Sequence, residues 1–161
     1  MGTVAAIFVA PSAEAPMKEI MTAELQAGLG IVGDRYHAGV GTWSKPGEEH
    51  IAKRQVTLIE SEAVDAIVRD YHIAFEAADT RRNILTRDVA LNHLIGVEFT
   101  VGSTRLRGVQ LCEPCAHLEQ VAGQPIRKPL VHRGGLRCEI VEGGTINVGD
   151  TVHPETSARE R

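Results

Sequence analysis

Short runs in which apolar and polar positions alternate, cut at close intervals by turn residues, make up most of this chain. Val4 to Ala10 is a continuous apolar run closed by Pro11, and it predicts a buried first strand. Lys18 to Leu25 predicts a second strand, with Ile20, Met21 and Leu25 set among polar residues. Gln55 to Glu60 predicts another, with Val56 and Leu58 alternating with Thr57 and Ile59. A short strand follows Arg81, Arg82 and Asn83 as far as Thr86. Val97 to Val101 and Thr104 to Leu111 predict a hairpin around Gly102 and Ser103. Leu136 to Val141 and Thr145 to Val152 predict the last strands, with Gly143 and Gly144 as a hairpin turn between them.

Helical periodicity is confined to a few places. Ser61 is expected to cap a helix running to about Tyr71, with Ala63, Val64, Ile67, Val68 and Tyr71 on one face and Glu62, Asp65, Arg69 and Asp70 on the other. Val89 to Ile95 predicts a helical turn stopped by Gly96. Many short strands with few helices predict a mainly β fold, a closed barrel rather than a layered α/β sheet. No internal repeat is visible.

A chain of 161 residues with 43% hydrophobic and 24% charged composition is long enough for one sizeable core and too short for two. Residues 1–152 are expected to form a single domain, and 153–161 a polar, flexible tail. Lys plus Arg 17 against Asp plus Glu 21 leaves a net charge of −4, which argues against nucleic acid or an anionic membrane as partner. Three cysteines, two of them close together, do not form a secreted disulfide framework and suit the reducing cytoplasm. No Lys or Arg precedes the apolar start, so a secretory signal is not expected there. Ala6 stands where myristoylation would need Ser or Thr, and no run is long enough to span a bilayer.

Gly28, Gly30, Gly33, Gly39, Gly41 and Gly47 make a long loop that carries Asp34, Arg35, His37 and Trp43. The first three spell the dinucleotide fingerprint. That reading is rejected, because the residues after Gly33 are too glycine-rich to open the helix whose start would meet a pyrophosphate. The glycines instead bend the backbone to present Asp34, Arg35 and His37.

Cys112-Glu-Pro-Cys115 is the expected reactive centre. Pro114 is placed at the first helical position and Cys115 in the first turn of a helix ending near Gly123. Amides at a helix start favour a cysteine that acts as nucleophile or soft-metal ligand, while Glu113 works in the opposite sense. Three other readings stand beside it. Cys138 with His117 or His132 would complete a zinc site, although no second paired spacing supports one. A thioredoxin-type redox pair belongs after an early strand of an α/β fold, not here. Two ordinary semi-buried cysteines are the plain alternative. Cys138, in Leu136 to Val141, is expected to be buried and slow to react.

Basic residues cluster at Lys53-Arg54, Arg81-Arg82 and Arg127 to Arg133, the last before Gly134 and Gly135. Arginine matches phosphate geometry, and glycines let backbone amides approach an anion. Any single arginine is more often a surface charge. His72 and His93 fall near helix ends, and His37, His117 and His132 beside the motifs.

Taken in order, residues 28–37, 54–60, 81–86, 94–102, 112–118, 133–144 and 146–152 resemble the MOSC domain, the C-terminal module of molybdenum cofactor sulfurases. The resemblance implies a closed β-barrel, a pocket for the molybdopterin cofactor, and a cysteine, by position Cys115, that carries sulfur or ligates molybdenum. It implies cofactor-binding roles for Asp34, Arg35, Arg82, Asn83, Arg133, Gly134 and Gly135, with Cys112 as a resolving or assisting thiol. Tyr36 stands where many relatives have His. Nothing in the chain forms the sulfurases' pyridoxal phosphate domain, and no lysine motif binds that cofactor. Sulfur would have to come from a separate cysteine desulfurase. Stand-alone relatives include reductases of N-hydroxylated compounds, for which an electron-transfer protein would be needed. The leading expectation is a sulfurtransferase-like carrier; the reductase component and a zinc-stabilised binding module are the alternatives.

Overall fold

The computed structural model describes residues 2–155. In chain order the strands are β1 (Gly2–Val9), β2 (Lys18–Ile20), β3 (Thr22–Gln26), β4 (Gly30–Ile31), β5 (Val56–Glu60), β6 (Ile84–Arg87), β7 (Glu98–Val101), β8 (Thr104–Leu111), β9 (Leu136–Glu142), β10 (Gly144–Asn147) and β11 (Thr151–Pro154). There are two helices, α1 (Ser61–Tyr71) and α2 (Ala116–Ala122), and 3-10 turns at Ala52–Arg54, Ala77–Thr80 and Leu91–Leu94 among the described residues.

Seven strands close a mixed barrel in the order β11, β7, β8, β9, β5, β6, β1, with β1 returning to β11 through Gly2 opposite Val152 and Thr3 opposite Thr151. The expected closed barrel is therefore the observed fold. Among the named strands of the described residues only β5 and β6 pair in parallel, so the chain between them must cross over the wall, and α1 lies in that crossover. One edge of β1 is shared, β11 taking its start and β2 its end.

The interior is aliphatic. Ile7, Leu58, Ile84, Leu106, Leu136 and Val152 point inward with Phe99 and Cys138, all essentially inaccessible. Side chains alternate across a strand, so the neighbours Ile59 and Leu85 fall on the outer face. There they form a second apolar cluster with Val64 and Ile67 of α1, Leu118 of α2, and Phe75, Ile126 and Leu130 from the connections. This cluster fastens both helices to the outside of the barrel, and Cys115 packs at its edge.

Several expected elements differ in detail. The strand expected over Lys18 to Leu25 breaks at exposed Met21, because the chain leaves β1 there and joins a three-stranded sheet ordered β10, β3, β4. Gly143 and Gly144 are not a hairpin turn. They carry the chain from β9 in the barrel to β10 in the small sheet, and a Cβ on Gly143 would stand 2.6 Å from the Leu25 carbonyl oxygen. The residue flanking α1 is Glu60, and Ser61 is its first helical residue. The buried face of α1 takes Ala66 and leaves Val68 and Tyr71 exposed. His153 and Pro154, expected to open a tail, instead pair with Thr100 and Phe99 and help close the barrel. The remainder of that tail, 156–161, lies outside the described residues.

Candidate functional site

At the end of β8 the chain turns outward through Cys112 and Pro114 into α2. Cys115 is the N-cap of α2, in extended conformation, and its Sγ accepts a hydrogen bond from the Leu118 amide at 3.4 Å. This corrects the expected placement of Pro114 at the first helical position and Cys115 within the first turn. A thiol acceptor here satisfies one of the amides left free at a helix start. Gly123 ends α2 with positive φ, as expected.

The three cysteines are all free and differ sharply in setting. Cys138 lies inside the barrel, and burial, then the neighbouring Cys112, pushes its thiol well above the ordinary range. Cys112 is 2% exposed, while Cys115 is half-buried. Both Cys112 and Cys115 line a narrow cleft on the outer wall with Arg35, Arg81, Arg82, Arg137, Thr57, Tyr36, Thr42, Trp43, His117 and Leu118. Four arginines line it and no Asp or Glu does. The cleft is small, about 60 Å³.

The arginines are held by backbone carbonyls and one carboxylate. Arg82 donates from Nε to the Gly134 carbonyl at 2.8 Å and from Nη2 to the Cys112 carbonyl at 3.0 Å, tying the cysteine turn to the glycine pair. Arg81 donates to the carbonyls of Ala13 and Ala15, both at 2.8 Å. Burial, and next the charge of Arg35, lowers the Arg81 guanidinium from its ordinary pKa. Arg35 donates to Asp34 at 3.0 Å and to the Arg81 carbonyl at 3.2 Å, and it lies 4.9 Å from the Tyr36 ring centroid. Its Nε is buried with no hydrogen-bond partner among the described residues. Crowded cations with an unpaired buried donor form a site that an anion would complete.

Glu113 does not face the sulfur. Its carboxylate accepts from the His132 amide at 2.6 Å and meets His132 Nδ1 at 2.7 Å, outside the cleft.

The other expected cofactor-binding residues divide into supports and outliers. Asp34 is buried, accepting from the amides of Ala10 and Tyr36 as well as from Arg35. Asn83 accepts from the amide and hydroxyl of Thr57 and donates to the Phe8 carbonyl, joining β5, β6 and β1 behind the cleft. Neither lines the cleft. Gly134 and Gly135 also stand behind it: a Cβ on Gly134 would lie 2.3 Å from the Cys112 carbonyl oxygen, and one on Gly135, at φ +113°, 2.2 Å from that of Leu58. The Gly135 carbonyl accepts from the Cys112 amide at 2.7 Å. Arg133 is exposed and lines a different depression with His93, His132 and Glu60, so the structure does not bring it to Cys115.

Arg137, Trp43, Thr42 and Thr57 were not singled out as site residues by the sequence. Arg137 carried a signal, because it alternates with inward-facing Leu136 and Cys138 on β9 and must point outward. His37 bonds Gln26 at 2.6 Å and is not at the cleft, whereas His117 is, edge to face with Trp43 at 6.4 Å between ring centroids. No three His, Cys, Asp or Glu side chains among the described residues are grouped to hold a metal ion, so the zinc reading finds no ligand set there. No helix among those residues is long and apolar enough to cross a membrane.

Comparison with solved structures shows the same fold elsewhere. The YuaD protein of Bacillus subtilis superposes with TM-score 0.76 at 18% identity, covering 97% of this chain and 98% of that one. YiiM from Geobacillus stearothermophilus gives 0.72 at 14% identity over 97% and 76% of the two chains. YiiM from Escherichia coli gives 0.69 at 13% over 98% and 71%. No curated protein matches the sequence. The family model of the MOSC domain, a family associated with the molybdenum cofactor, matches residues 32–153, from the glycine loop through the cysteine turn to the strand that closes the barrel, and the chain belongs to that family.

Proposed function

We propose that this protein binds the molybdenum cofactor at the arginine-lined cleft and uses Cys115 as a sulfur carrier in the cytoplasm. The observation that carries the reading is the conjunction of a half-buried free thiol with four arginines and no carboxylate in one cleft. The residues fit such a group: an anionic phosphate suits the guanidinium cluster and the unpaired Nε of Arg35, and a thiolate suits molybdenum. Bound there, the cofactor supplies a molybdenum centre able to accept sulfur or to exchange electrons and oxygen with a substrate.

The chain's own part is to hold and present. Arg35, Arg81, Arg82 and Arg137 bind the anionic end, and Asp34 and Asn83 keep the wall behind them rigid. In the carrier reading the Cys115 thiolate attacks the terminal sulfur of a persulfide on a separate cysteine desulfurase. The S–S bond of the donor breaks, its thiolate leaves with the electron pair, and Cys115 becomes the persulfide. Attack by Cys112 on the inner sulfur would release hydrosulfide and leave a Cys112–Cys115 disulfide, for which a reducing thiol is needed afterwards. No step assigned to this chain uses pyridoxal phosphate.

A second reading is favoured by the fixing of Cys115: its packing against the outer cluster and its bond from Leu118 suit a stationary metal ligand. In that case the protein is a molybdenum-dependent reductase component acting on N-hydroxylated compounds, with electrons from a separate electron-transfer protein. Both readings are tested on protein from a cofactor-competent host, by molybdenum analysis, pterin fluorescence and trapping of persulfide after desulfurase treatment. Persulfide on Cys115 supports the carrier, and stoichiometric molybdenum lost in Cys115→Ser without persulfide supports the reductase. Neither pterin nor persulfide would refute both.

A further inference from the structure

The basic pair Lys53-Arg54 takes no part in the Cys115 cleft, yet it stands beside it. A depression of about 230 Å³ adjoins the cleft, sharing Trp43 and Arg137 with it and completed by Lys53, Arg54 and Gln110. No carboxylate lines it. Glu139, the next outward residue after Arg137 on β9, is held by Arg107 at 2.6 Å. Arg137 donates to the Lys53 carbonyl at 3.4 Å, which ties the 3-10 turn at Ala52–Arg54 to the barrel wall. Arg54 is 8% exposed, and its Nη1 is buried without a hydrogen-bond partner among the described residues. A buried guanidinium donor lacking an acceptor is the state that an arriving oxyanion relieves.

We propose that Lys53, Arg54 and Arg137 form an oxyanion subsite contiguous with the Cys115 cleft, taking a phosphate or carboxylate group of a ligand whose other end lies in the cleft. The subsite stands on its own geometry, and only the identity of the molecule spanning the two rests on the cofactor-binding reading. Trp43 lines both compartments, so that molecule passes its ring. Its chemistry is that of an elongated ligand whose oxyanion meets Lys53, Arg54 and Arg137 while another part lies in the cleft, such as a pterin joined to a nucleotide through pyrophosphate.

Trp43 is the only tryptophan, so its fluorescence reports on both compartments. The full chain is titrated with inorganic phosphate at constant ionic strength. A saturable phase is expected that is weakened at least tenfold in Arg54→Gln and in Lys53→Gln, each checked for native circular dichroism, and that is separate from any phosphate taken by the cleft arginines. Wild-type phosphate affinity in both Arg54→Gln and Lys53→Gln overturns the subsite. A second arm compares molybdopterin with its nucleotide-bearing form. The latter should bind more tightly, and Arg54→Gln should remove the difference. Equal affinities, with phosphate still held through Arg54, overturn the link to the cleft ligand and leave a site for free oxyanion. If neither pterin binds while phosphate binding depends on Arg54, the subsite is upheld and the cofactor reading fails.

Discussion

Cys138 inside the barrel and Cys115 on its outer wall are the same residue in two solvents. Cys138 is surrounded by Val56, Leu136 and Ile140 with no access to water, whereas Cys115 sits at the junction of an apolar cluster and a ring of arginines. The barrel wall is one strand thick, so the alternation of side chains along β9 separates the two chemistries: Cys138 turns inward and its neighbour Arg137 outward. Thiol exposure therefore follows from the face and not from the motif.

The largest expected contrast is in alkylation. Under native conditions Cys138 should react only through opening of the barrel, slower than Cys115 by roughly 10³-fold or more, measured by mass spectrometry of timed iodoacetamide reactions. Comparable rates would mean that the interior is wet. Next, Leu106→Ala, a truncation inside the barrel, should cost about 2–5 kcal/mol in urea unfolding, whereas Trp43→Ala at the exposed mouth should cost less than about 1 kcal/mol. Similar losses at both positions would erase the distinction between core and rim.

Arg82→Ala should be smaller in effect but double in kind. It removes two bonds to the carbonyls of Gly134 and Cys112, so about 1.5–3 kcal/mol should be lost from anion binding, together with measurable stability. Arg82→Lys should not restore both, because an ammonium cannot reach two carbonyls as a planar fork does. Recovery by lysine would show that charge alone matters. Smallest is the pH effect of Cys138. Its thiol is held protonated by burial, so its folded pKa lies above the ordinary 9.0. The stability it contributes is fully present below 9.0 and lost as pH rises through the folded pKa. Cys138→Ala should flatten the alkaline limb of urea midpoints, and an unchanged limb would assign that limb to other groups.

Alternating β5, the hairpin of β7 and β8, the amphipathic α1 and the burial of Cys138 were all legible along the chain, because each depends on local periodicity or on a neighbour in sequence. The hairpin read into Gly143 and Gly144 failed for the opposite reason. Two glycines permit a turn, but pairing of β10 with β3, far off in sequence, decides where the chain goes. Arg133 and Arg137 show the same limit at the site: both are basic and lie close together, yet only Arg137 reaches the cleft.

Residue order was thus sufficient for a β-rich barrel, for Cys112 and Cys115 on one turn, and for arginine as the cation of the site. Closure of the wall through β1 and β11 decided the rest. It brought Arg35, Arg81, Arg82 and Arg137 into one cleft with Cys112 and Cys115 and left Asp34 and Asn83 as posts behind them. Convergence of this kind arises from contacts between residues far apart in the chain, and their geometry exists only when the sheet curls shut.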